Sequence, residues 1–146
     1  CRPDLKFTLL DSLSRKMKAL NEIVAALELG NTEVVCARSE DFAAACREQY
    51  DAAVARAVSE AGVIAEYLAP LVREGGALIA MKGSSVGGEL APLEGRWDAL
   101  GLSEPKLYEY DLKDHKSYML LWGKSAPCPA AYPRRPGRAE KKLWWR

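Results

Sequence analysis

Histidine is nearly absent: the chain has one, His115, among 146 residues. The four cysteines, Cys1, Cys36, Cys46 and Cys128, form no C-x-x-C pair and give His115 no partner at metal-ligand spacing. That composition argues against a zinc site. A disulfide framework is not expected in a chain this long, so the cysteines read as free, mostly buried thiols of a cytosolic protein. No apolar run approaches the roughly 18 residues of a membrane span, and nothing at the start resembles a signal peptide. A cytoplasmic location without a membrane partner is the expectation. An initiating Met is also lacking, and a chain that starts at Cys1 reads as a processed product or a fragment.

An excess of charge of one sign is missing only on average. The net charge is +1, yet residues 1–112 carry 12 basic and 18 acidic side chains, while 113–146 carry 9 basic and 2 acidic ones. An acidic body with a basic end is the pattern of a chain whose end meets a polyanion. At 49% apolar residues there is material for a core, and the length suits one domain.

Short apolar runs alternate with helical patterns. "KFTLLD" reads as a strand, followed by a helix with Met17, Leu20, Ile23, Val24 and Leu27 on one face, capped by Ser12 or Ser14 and closed by Gly30 and Asn31. "EVVCA" (33–37) is a second strand, a short helix covers about 41–48, and "YDAAVARAV" (50–58) is a third strand. Ser59 caps a helix burying Ile64, Leu68, Leu71 and Val72 and ending at "REGG"; "ALIAMKG" (77–83) is the fourth strand. A glycine-rich loop at 83–88 leads into a weaker helix over about 88–100. "PKLYEYDL" and "SYMLLWGK" are close enough for an antiparallel hairpin. The expectation is an α/β fold over 1–125, a mostly parallel sheet ending in that hairpin, followed by a basic Pro/Arg-rich tail over 126–146.

Sheets of this kind bind ligands at the C-terminal ends of their strands. Asp11–Leu13, Arg38–Glu40, Arg56 and Lys82–Gly83 would lie there. Asp11 can accept hydrogen bonds from both hydroxyls of a ribose, or cap the helix that follows. Ser39 and Glu40 sit where an adenine would lie, or simply begin a helix with an acid in its first turn. Arg56 and Lys82 end strands expected to be buried, where a cation needs a carboxylate or a bound anion. In the tail, Tyr132, Arg134 and Arg135 mix an aromatic ring with guanidinium groups, as in contacts to unpaired RNA. The same stretch also reads as a solvated end or as a P-x-x-P ligand. Trp144 and Trp145 either pack back or stack on bases. His115 reads as a surface residue, and no general base is assigned.

"LLDSLSRKMKALNEI", "ARSEDF", "ARAV", "GGALIAMKG" and "YPRRPG", in this order and spacing, resemble the GidB/RsmG family over about Arg2 to Lys142. Members are S-adenosylmethionine-dependent methyltransferases acting on N7 of a guanine in 16S ribosomal RNA. The resemblance implies a Rossmann-like class I methyltransferase sheet, cut before its first strand and glycine-rich loop. It places Asp11, Ser12 and Leu13 along the cofactor's ribose, Ser39 and Glu40 at its adenine end, and Arg56 beside the cofactor and target pocket. Lys82, Tyr132, Arg134 and Arg135 would meet RNA, the partner being 16S ribosomal RNA or a small-subunit assembly intermediate. No metal is implied. Without the central first strand, two strand edges would stay open and invite a strand-paired dimer. A non-catalytic RNA-binding remnant and a nicotinamide-dependent enzyme are the competing readings.

Overall fold

The computed structural model describes residues 2–56, 58–113 and 115–146. It divides into two compact units, Cys1–Phe42 and Ala43–Arg146. The tail expected from 126 onward belongs to the second unit.

The first unit starts with strand β1 (Phe7–Asp11), whose β-prone residues pair in parallel with β2 (Thr32–Cys36) from Phe7↔Thr32 to Asp11↔Cys36. Helix α1 (Ser14–Ala26) connects them, and α2 (Ser39–Ala45) follows β2. Of the apolar stripe on α1 only Met17 is buried; Leu20 and Val24 are half-buried, while Ile23 and Leu27 are exposed. Two strands about 5 Å apart form too narrow a layer to cover a 13-residue helix. The helix ends at Ala26, before the expected Gly30, and the chain turns away at Glu28 with φ 50°.

The second unit is a four-stranded sheet in the order β3-β4-β6-β5: β3 (Tyr50–Arg56), β4 (Val72–Lys82), β5 (Lys106–Leu112) and β6 (His115–Gly123). β3 and β4 are parallel, and β6 runs antiparallel to both β4 and β5, which confirms the hairpin. Helix α3 (Ala61–Leu68) is buried along its length, and its apolar residues pack with Leu78, Ala80, Leu120 and Trp122 from one sheet face. Helix α3 stops at Leu68 because Pro70 cannot continue it, so Leu71 and Val72 leave the helix and "REGG" lies inside β4. That long strand needs its glycines. Gly75 adopts φ +78°, and a Cβ on Gly76 would lie 2.5 Å from the Asp51 carbonyl oxygen. The helix expected over 88–100 is a short α4 (Val86–Leu90) and two 3-10 turns, Ala91–Leu93 and Trp97–Leu100, separated at Gly95 with φ +69°.

The C-terminal stretch folds against this unit and ends in α5 (Arg138–Lys141). Trp144 donates its indole N–H to the Gly62 carbonyl at 2.9 Å. Trp145 lies so close to Gly62 that a Cβ there would meet its ring at 2.3 Å. Both tryptophans therefore pack on the protein.

Among the described residues β1 and β3 each pair on one side only. An open edge is a template for another strand. The 146-residue chain is expected to self-associate at raised concentration, and a sedimentation profile that stays monomeric there would argue against it.

Candidate nucleoside and RNA sites

The parallel register of β1 and β2 sets their C-terminal ends side by side. Asp11–Leu13 and Ser39–Glu40 accordingly share one edge of the first unit. Asp11 Oδ1 accepts the Leu13 N–H at 2.9 Å, and Oδ2 accepts from Lys16 Nζ at 2.5 Å. The Lys16 bond, then the Leu13 N–H, holds the Asp11 carboxyl below the usual carboxylate range. Asp11 thereby closes a turn onto the N-cap residue Leu13, and α1 starts without a side-chain cap, contrary to the expectation of one from Asp11, Ser12 or Ser14. A carboxylate offers about four lone-pair sites, so two bonds leave room for ribose hydroxyls. Ser12 and Leu13 are exposed beside it, Ser39 is half-buried and Glu40 is buried.

In the second unit Arg56 departs from the expectation of a buried cation, whereas Lys82 takes the expected carboxylate partner. Arg56 is exposed, because it lies on the face of β3 opposite to Ala55 and the core, and it needs no buried partner. Lys82 is nearly buried but fully matched: Nζ pairs with Glu89 Oε2 at 2.6 Å and donates to the Ser59 carbonyl at 2.7 Å. Glu89 also takes the first N–H of α3, from Ala61 at 2.8 Å, in place of the expected Ser59 cap, and accepts from Ser85 Oγ. Burial pushes the Glu89 carboxyl up, but Lys82 and these donors together bring it below its usual value. Arg56 and Lys82 do line one depression, of about 460 Å³, with Met81, Glu89, Tyr110 and Leu112.

The tail corrects another expectation. Arg134 is bound to the protein itself: its Nε and Nη2 hold both oxygens of Glu66, at 2.8 and 2.5 Å, and its backbone N–H adds a third bond. Its guanidinium also lies 5.9 Å from the Tyr132 ring centre, and Tyr132 is half-buried. Arg47 donates to the carbonyls of Cys128, Pro129 and Tyr132. Arg135 remains exposed and joins the exposed Arg138 around a shallow depression. Neither side chain has an ion-pair partner among the described residues. Glu66 was missed from the sequence, although a lone acid in "AGVIAEYLAP" signals a buried charge awaiting a cation.

A model of the GidB family, rRNA small subunit methyltransferase G, matches residues 1–117. The chain belongs to the GidB family. Curated relatives named ribosomal RNA small subunit methyltransferase G include those of Leuconostoc citreum, 36% identical over 96% of this chain, and Symbiobacterium thermophilum, 41% identical over 93%. The GidB chain here spans 60% and 59% of their lengths. Among solved structures, an antibiotic-resistance methyltransferase, Kmr, matches with TM-score 0.68 at 16% identity, covering 86% of this chain and 78% of its own. An rRNA methylase from Streptococcus thermophilus matches with TM-score 0.63 at 16% identity and the same coverage. These likenesses show the class I methyltransferase fold, mostly parallel with an antiparallel hairpin.

Proposed function

We propose that the protein containing this chain transfers a methyl group from S-adenosylmethionine to N7 of a guanine in 16S ribosomal RNA. The observation that carries this reading is the Asp11 carboxylate, placed with Ser39 and Glu40 at one strand edge of a GidB-family chain. Asp11 has acceptor capacity for the ribose, and Ser39 and Glu40 stand beside it for the adenine. S-adenosylmethionine supplies an electrophilic methyl group on a sulfonium. Guanine N7 already carries a free lone pair, so no side chain has to remove a proton. The chain's task is alignment, which fits a sequence with one histidine, exposed at the hairpin. Arg135 and Arg138 are among the exposed tail cations that could meet phosphates of ribosomal RNA, Arg134 being engaged by Glu66.

The test uses the full-length enzyme. Asp11→Ala removes hydrogen bonds to a charged acceptor, worth about 1.5–3 kcal/mol, so the cofactor Kd should rise roughly 10- to 100-fold. An unchanged Kd in a folded variant would overturn the reading. Replacing Arg135 and Arg138 together by alanine should leave that Kd alone and lower the salt slope of RNA binding by about 2.

A further inference from the structure

Prolines stand at 127, 129, 133 and 136, and proline has no backbone N–H. A stretch this rich in proline cannot hold itself in a ladder or a helix, so its carbonyls need donors from elsewhere. One side chain supplies three of them. Arg47, half-buried just before β3, donates from Nη2 to the carbonyls of Cys128 and Pro129, and from Nη1 to that of Tyr132 at 2.6 Å. A guanidinium suits this task, because its donors diverge in a fixed planar fork that an ammonium does not reproduce. The next residue, Glu48, accepts the Cys128 N–H, so Arg47 and Glu48 together fix both backbone groups of Cys128.

Further along, Glu66 holds Arg134 and the Gly62 carbonyl holds Trp144. Between those anchors the chain turns, and the Arg138 N–H donates to the Arg135 carbonyl at 3.0 Å. Arg135 and Arg138 stand at the two ends of that turn, both exposed, and line a recess of about 380 Å³ with Ala131, Pro133 and Arg134. Ala131 and Pro133 flank Tyr132, so part of the recess wall is the segment that Arg47 pins. No carboxylate is among the described residues that line it. Two guanidinium groups without a counter-charge, carried on an anchored turn, form a surface for an anion. Anchoring matters to affinity. A loose tail with the same charges would have to lose its chain entropy on RNA, whereas a turn already held binds without that cost.

We propose that Arg47 is a positioning residue for RNA binding: it builds the tail into a preformed platform on which Arg135 and Arg138 meet phosphates. The proposal rests on the RNA-methyltransferase reading above and adds a residue on which its RNA contact depends. The Arg47 guanidinium is spent on carbonyls and acts through the backbone of 128–132, not on RNA directly.

The test is a double-mutant cycle in the full-length enzyme, read as the Kd for 16S ribosomal RNA. Arg47→Ala should weaken binding roughly tenfold, and the effect should fall on KM for RNA rather than on kcat. Arg135→Ala with Arg138→Ala should weaken binding roughly 10- to 100-fold. Adding Arg47→Ala to that pair should then cost less than about twofold, since nothing is left to position. A residue that only stabilises the fold would cost the same in both backgrounds, and such additivity would overturn the proposal. Arg47→Lys keeps the charge without the fork and should follow Arg47→Ala; unsubstituted affinity in that variant would also overturn it. If Arg47→Ala fails to fold, Arg47→Lys carries the same cycle. An RNA affinity unmoved by the Arg135 and Arg138 substitutions would remove the platform altogether. Cofactor binding that still weakens in Asp11→Ala would, in that event, keep the methyltransferase reading.

Discussion

Arg134→Ala is expected to destabilise the second unit by about 3–5 kcal/mol, because it leaves a carboxylate buried without its counter-charge. The Glu66 side chain is 1% exposed and lies in a helix whose other residues are mostly apolar and buried. Arg134 supplies both guanidinium donors and a backbone N–H; alanine would keep only the last. Glu66 in turn raises the Arg134 pKa, so the cation stays charged throughout the accessible pH range. Urea unfolding followed by near-UV circular dichroism reads the effect. Trp144 packs edge-to-face with Trp97 and with Trp145, ring centres 6.0 and 5.3 Å away, so these rings report release of the tail. Replacing both partners, Glu66→Leu with Arg134→Leu, removes the orphaned charge and should recover much of the loss. Arg135→Ala, at an exposed site, should stay within about 0.5 kcal/mol of the unsubstituted chain. Equal losses at 134 and 135 would mean that Glu66 finds another partner.

That contrast also shows which parts of the molecule can be read from its residues in order. The alternation "KFTLLD", "EVVCA", "AVARA" carries strand periodicity and short connections, and those elements stand where expected. The tail has no period, because single contacts hold it: Arg47 on three carbonyls, Trp144 on the Gly62 carbonyl, Arg134 on Glu66. Contacts 68 to 85 residues apart leave no trace in local pattern. The site divides along the same line. Asp11 could be placed because a strand end is local. The fate of Lys82 could not, because it depends on how the loop after β4 returns Glu89 to it. The early start of β4 was legible in Pro70, a signal outweighed by the apolar spacing of Leu68, Leu71 and Val72.

Lys124→Met should cost the second unit about 2–4 kcal/mol at pH 7, and that cost should shrink in acid. The Lys124 side chain has no solvent exposure; its Nζ pairs with Glu48 Oε1 at 2.6 Å and donates to the Val72 carbonyl at 2.9 Å. Methionine keeps the stem's bulk and removes the ammonium. Glu48 is then left with the Cys128 N–H, at 2.6 Å, and with 27% exposure, so the loss falls below that of a wholly buried pair. Burial pushes the Glu48 carboxyl up, but Lys124 and the Cys128 N–H outweigh it and hold the group below its ordinary value. A carboxyl depressed in the folded state contributes stability in full above its unfolded pKa, about 4.3. The contribution is lost as pH falls through the lower folded-state value. Without Lys124 the main downward pull on Glu48 disappears, so the variant has less of this stability to lose. Unfolding free energies should therefore differ by a constant amount from about pH 7 to pH 5 and converge toward pH 3. The Lys82–Glu89 pair weakens in acid as well, but equally in both chains, and so cancels from the difference. A gap that persists unchanged at pH 3 would assign the cost to packing around the lysine stem rather than to the charge on Glu48.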